Sequence, residues 1–156
     1  MTHQDFLQKA IQLAVDNVKN NQGGPFGAIV VKDGEIVGQG VNRVTTHNDP
    51  TAHAEIGAIR DACKNLQHFQ LEDCIIYTSC EPCPMCFGAI YWARPKKVYF
   101  ACTKQEAAKA GFDDQFIYDE LAISYEQRKI KMERLSSPEK LSPFQTWMKS
   151  SERVEY

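Results

Sequence analysis

Apolar residues recur at steps of three and four through Phe6, Leu7, Ala10, Ile11, Ala14 and Val18, which is the spacing of one helix face, and Gly23-Gly24-Pro25 ends the pattern. The period then changes. Residues 26–32 and 35–41 are β-branched, apolar runs flanking Asp33-Gly34, a pair that predicts a tight hairpin between two antiparallel strands. Asn48-Asp49-Pro50 breaks the chain, and Thr51 suits the N-cap of a helix running to about Lys64. Residues 73–79 contain Cys74-Ile75-Ile76-Tyr77, a short buried strand. Pro82 suits the first position of a helix to Arg94, Pro95 stops that helix, and residues 97–102 form a further apolar strand. Strand, helix and strand in that order predict a parallel pair with a right-handed crossover, so the sheet is mixed. Two helical stretches are predicted over 104–122. Ile130 and Met132 alternate with Lys129, Lys131 and Glu133, predicting a half-exposed strand over 129–135. The polar, proline-bearing residues 136–143 then connect to a final helical piece at 144–149.

A chain of 156 residues is long enough for one domain with its own core, which disulfides need not staple. Its 18 basic and 20 acidic residues leave a net charge of -2, which argues against a protein that lives on nucleic-acid backbones. Asp5, Lys9 and Asp16 interrupt the N-terminal apolar residues, so no signal peptide is expected, and no stretch approaches the ~18 apolar residues of a membrane span. A cytoplasmic protein with reduced cysteines is the expectation. On that reading Cys63, Cys74 and Cys102 are buried small hydrophobes.

The remaining cysteines carry chemistry. Cys83 and Cys86 are three apart at a helix start, so both fall on one face, near the end whose dipole favours thiolates. A lone C-x-x-C also suits a redox pair or half of a structural zinc site, and the further ligands decide between these. Cys80 competes as a ligand, but it lies before Pro82 at a strand end and is expected to point away from the Cys83–Cys86 face. His3 is near the terminus, while His47 and His68 lie in polar stretches; His53 is the one histidine that opens a helix. One nitrogen and two thiolates would leave the fourth tetrahedral position to water, the arrangement of catalytic zinc. Glu55 follows His53 by two residues, which in a regular helix is about 200° around the axis. The two converge only if His53 belongs to the first turn rather than the helix body. There Glu55 would act as general base and not as ligand.

His53-Ala54-Glu55 followed by Pro82-Cys83-Pro84-Met85-Cys86 resembles the H-x-E and P-C-x-x-C signature of the cytidine-deaminase superfamily of zinc-dependent nucleobase deaminases. Asn42, residues 49–52 and 79–81, residues 111–118, Leu141-Ser142-Pro143-Phe144 and Tyr156 extend the likeness toward the guanine-deaminating branch. The resemblance implies a three-layer α/β/α sandwich with a central mixed five-stranded sheet, one Zn2+ per chain, and hydrolysis of guanine to xanthine and ammonia. A tRNA adenosine deaminase and a catalytically silent zinc module are the alternatives. It implies further that Asn42 hydrogen-bonds the purine, Phe26 stacks on it and Asp114 faces the exocyclic amine, while the Ala54 and Cys83 N–H groups, both at helix starts, are placed to support the developing oxyanion. Each has a plainer reading: Asn42 as a turn residue, Phe26 as core, Asp114 as a helix cap. A homodimer is implied, with C-terminal segments of about residues 136–156 exchanged. Trp92 is then either a lining of the partner's site or a core aromatic, and Tyr156 either a lid or a solvated end. The partner otherwise expected is a small purine, with neither nucleic acid nor membrane.

Overall fold

The computed structural model describes residues 1–156, in two compact units of residues 1–114 and 115–156. In the first unit, α1 (His3–Lys19) opens with a capping box in which Thr2 and Asp5 satisfy each other's backbone N–H groups. β1 (Gly27–Lys32) and β2 (Glu35–Val41) pair antiparallel, with Lys32 opposite Glu35. Asp33 and Gly34 both have positive φ, 50° and 82°, the primed turn that matches strand twist. A short α2 (Val44–His47) leads to α3 (Ala54–Leu66), then β3 (Cys74–Cys80), α4 (Pro84–Ala93), β4 (Lys97–Cys102) and α5 (Lys104–Lys109).

The sheet order is β2-β1-β3-β4, with β1 and β3 antiparallel and β3 and β4 parallel. It is mixed, as expected, but has four strands and not five. The missing strand is 129–135, which pairs with nothing and leaves Ile130 and Leu135 exposed. Alternation reports which side chains share a face; it does not supply a neighbouring edge, and without one no ladder forms.

Strand alternation sorts the central residues into two layers. Ala28, Val30, Cys74 and Ile76 pack beneath Ala54, Ala58 and Ala62 of α3 and Ile90 and Ala93 of α4. Ile29, Val31 and Tyr77 pack on the other face against Phe6 and Ala10 of α1. The three-layer sandwich follows. Val30 and Ile76 are wholly buried, and such side chains contribute about 1.5–3 kcal/mol each.

Gly38 and Gly40 let α3 lie directly on β2. A Cβ at Gly40 would run into the Ala54 carbonyl and the Ala58 amide, and one at Gly38 into the Ala62 amide. Gly40→Ala is therefore expected to destabilise by about 1–3 kcal/mol, because a backbone cannot yield as a side-chain tip can. A thermal melt checks this, with a drop of several degrees expected; an unchanged melt would mean that α3 has room to move.

Two predicted caps are displaced. α3 is capped by His53 and not Thr51, whose hydroxyl donates to Asp49 instead. α4 begins at Pro84, with Cys83 as N-cap, so Pro82 lies outside it. His3 is not a loose terminal residue, since its Nδ1 is 2.7 Å from the Tyr77 hydroxyl. Of the three cysteines expected to be buried, Cys74 is, Cys63 is half-buried and Cys102 is exposed.

The second unit contains α6 (Gln115–Leu121), a 3-10 turn (Tyr125–Gln127) and α7 (Ser142–Lys149). None of its residues is buried, and Phe116, Leu121, Leu135, Phe144 and Met148 are more than half exposed. No helix of the chain is long and apolar enough to cross a membrane.

Candidate metal and active site

Two helix starts build the site. His53 and Cys83 are the N-caps of α3 and α4, both in extended backbone (φ -76°, ψ 157° and φ -66°, ψ 169°). An N-cap side chain usually bonds back to its own helix. Neither of these does, which leaves both free to act as ligands. Cys86 is the third residue of α4 and is completely buried. The positive ends of both helices thus meet a pair of sulfurs, a field that favours thiolate.

His53 Nδ1 lies 3.5 Å from Cys83 Sγ and 3.5 Å from Cys86 Sγ. All three donor atoms fall within 4.8 Å of one another. Zn–S bonds of about 2.3 Å and a Zn–N bond of about 2.0–2.1 Å at tetrahedral angles put sulfur and nitrogen roughly 3.5 Å apart. The spacing fits zinc, and so does the donor set. Hydrogen bonds from Cys86 and then His53 hold the Cys83 thiol down to about 4, whereas the hydrogen bond to Cys83, and then burial, drive the Cys86 thiol far above its ordinary range. The His53 imidazole is pulled upward chiefly by its bond to Cys83. Two thiolates this close, beside a carboxyl, need a dication to be ionised together.

Glu55 is the second residue of α3 and only 6% exposed. Because His53 sits before the helix rather than in it, the 200° separation of a regular helix does not apply and the two side chains converge. Cys86 Sγ donates to Glu55 Oε2 at 3.4 Å, and the Thr78 hydroxyl approaches Oε1 at 3.3 Å. Burial pushes the Glu55 carboxyl above the usual range. It is a neighbour of the donor cluster and not a member of it.

Cys80 is turned away from the donor cluster, as its place at the strand end predicts. By alternation it lies on the same side of β3 as Thr78 and Ile76, but its thiol is 3.9 Å from the Thr103 carbonyl and it is no part of the donor cluster. Burial first, then the charge of Cys102, raise that thiol to about 12, so it stays protonated.

The expected substrate residues fall out unevenly. Asn42 is buried at the end of β2, and its side-chain oxygen accepts from the Gly24 and Val44 amides, so toward a ligand it offers only the donors on Nδ2. Phe26 is half-buried, packs on the core beneath α3 and meets Phe112 edge-on at 4.9 Å. Asp114 is half-buried; burial, helped by the Cys83 charge, raises its carboxyl. Ala54 is the first residue of α3, so its N–H has no acceptor within the helix. Trp92 is 63% exposed on α4, which excludes the core-aromatic reading, and Tyr156 is 70% exposed in the second unit.

Two residues were missed. Asn17 is buried on the apolar face of α1 and donates to the Gly24 and Asn42 carbonyls, holding the loop that holds Asn42. Thr78 is 1% exposed. A polar residue on an apolar stripe was the signal in both cases, since such a group is buried only with a partner.

Residues 1–102 match the family of cytidine and deoxycytidylate deaminase zinc-binding regions. The chain is 56% identical to the guanine deaminase of Bacillus subtilis over 156 residues, all of both chains. An X-ray structure of guanine deaminase from Bacillus subtilis has the same fold, with a TM-score of 0.98 over 100% of this chain and 99% of that one. A tRNA-specific adenosine deaminase of Buchnera aphidicola is 36% identical over 110 residues, 70% of each chain.

Proposed function

Since the chain belongs to the family of cytidine and deoxycytidylate deaminase zinc-binding proteins, we propose that it hydrolyses guanine to xanthine and ammonia. The observation that carries this reading is the 56% identity to a guanine deaminase along every residue, residues 115–156 included, where the likeness to a tRNA-specific adenosine deaminase covers 70% of the chain. The net charge of -2 also suits a small substrate better than an RNA backbone.

His53, Cys83 and Cys86 hold the zinc. Zinc, when bound, lowers the pKa of water from about 16 toward 7 and so supplies a nucleophile for the carbon that bears the amine. Glu55, on the oxygen that faces Cys86, takes a proton from the attacking water and passes it to the ring nitrogen, then takes the remaining proton of that oxygen and delivers it to the departing amine. Asn42, with its oxygen engaged, donates to the ring's oxygen and nitrogen acceptors, a match to an oxopurine. Phe26 stacks on the base, Asp114 accepts from the exocyclic amine, and the Ala54 N–H steadies the developing oxyanion. Ammonia release from guanine, adenine, cytosine, cytidine and a tRNA anticodon stem-loop tests the assignment. Guanine alone should yield ammonia. Turnover of the stem-loop instead, weakened by added salt, would replace the reading with RNA editing.

The protein acts as a homodimer in which residues 136–156 of one copy cover the other. The absence of any buried residue in 115–156, despite Phe144, Trp147 and Met148, supports a second copy as the missing cover. Trp92 then lines the partner's site, and Tyr156 closes it with an apolar ring and one hydrogen bond. Deleting Glu155 and Tyr156 should leave zinc content and melting temperature unchanged while kcat/KM for guanine falls roughly tenfold or more. Wild-type kinetics in the truncated chain would make the tail a solvated end.

A further inference from the structure

We infer that Thr78 is a positioning residue for the deamination: its hydroxyl pins one oxygen of Glu55 so that the other stays turned to the metal site. The inference rests on the role given to Glu55 above. Thr78 lies in the middle of β3, a strand buried along nearly its whole length, and is 1% exposed. Its hydroxyl is 3.3 Å from Glu55 Oε1 and 3.1 Å from the Cys80 carbonyl. Glu55 Oε2, the other oxygen, is 3.4 Å from Cys86 Sγ. Oε1 is thus held from the sheet by a hydrogen bond, while Oε2 faces the donor cluster.

Without the Thr78 contact, little on the sheet side fixes the Glu55 side chain, which is free to turn about its last torsion, a broad and soft one. A carboxylate that must twice receive a proton and twice release it loses rate when its orientation wanders, because the reacting distance is short. The hydroxyl has a single hydrogen and two acceptors within reach. It can therefore turn to the Cys80 carbonyl while Glu55 moves and return afterwards, never being left unpaired in the interior. A valine would fill the same volume and offer neither partner.

Thr78→Val and Thr78→Ser in the zinc-loaded protein separate this from a packing role. Thr78→Val should lower kcat for guanine roughly tenfold to a hundredfold with KM and zinc per chain unchanged, and Thr78→Ser should restore most of the rate despite its missing methyl. Thr78→Val added to Glu55→Gln should change the residual rate little, since the group it positions no longer carries a proton. Unaltered kcat in Thr78→Val overturns the inference. So does a fall in kcat that only tracks lost zinc or lost melting temperature, or a serine variant as slow as the valine one. If the wild-type protein releases no ammonia from guanine but does so from another base, the guanine assignment fails, and the same three comparisons on that base decide the role of Thr78.

Discussion

Glu55→Gln should bind one zinc per chain, melt with the unaltered protein, and release ammonia from guanine at least 10² to 10⁴ times more slowly. The geometry separates those outcomes. Glu55 stands beside the three donors without joining them, so its replacement removes no ligand. Glutamine has the same shape and still presents an oxygen to the Thr78 hydroxyl, so the buried pocket keeps its packing and the hydroxyl its partner. What glutamine cannot do is take and give a proton. A carboxyl held above its usual range by burial sits where both transfers are feasible, and the amide has no such equilibrium. Turnover near normal in this variant, with metal content and melt intact, would remove Glu55 from the chemistry. Loss of zinc would instead make it a ligand.

Cys83→Ala and Cys86→Ala should each empty the site and lower the melting temperature, whereas Cys80→Ala should keep one zinc per chain. Cys83 and Cys86 both lie 3.5 Å from His53 Nδ1; Cys80 is turned to the Thr103 carbonyl and remains a protonated thiol. A ligand bound only by the folded state stabilises it by about 2.7 kcal/mol when present at a hundred times its dissociation constant. For a chain near this size that corresponds to roughly 5–11 °C in melting temperature. Metal analysis and thermal melts, with and without added zinc, read both quantities. Retention of zinc by Cys83→Ala together with its loss from Cys80→Ala would reassign the cluster.

The donor set was legible because each of its residues sits at a helix start, within a short motif that dictates local geometry. His53 is the clearest case: the 200° mismatch with Glu55 required that it lie in the entry turn and not the helix body, and it stands one step earlier still, as the N-cap of α3. Asp33-Gly34 was equally local, since two positive φ values settle the turn without help from the rest of the chain. What failed depended on distant partners. Ile130 and Met132 alternate like strand residues, but a strand also needs a partner to pair with, and residues 129–135 pair with none. The sequence leaves Trp92 between a site lining and a core aromatic, and α4 presents Phe87, Tyr91 and Trp92 outward together, a grouping that size alone does not reveal. Cys102 ends an apolar strand and is exposed because β4 is an edge of the sheet. Thr78 escaped notice because its partner, Glu55, lies 23 residues upstream on another element.

The order in which the chain emerges during synthesis sets the metal site apart from the C-terminal unit. His53, Cys83 and Cys86, and all four strands that align them, are complete once Cys102 has been made. Roughly a third of the chain then remains untranslated, which at about 5–20 residues per second takes several seconds. The ladders and helices that bring the donors together belong to residues 1–114, and the 115–156 unit contributes no strand to them. The residues that build the donor triangle are thus synthesised before those of the two C-terminal helices.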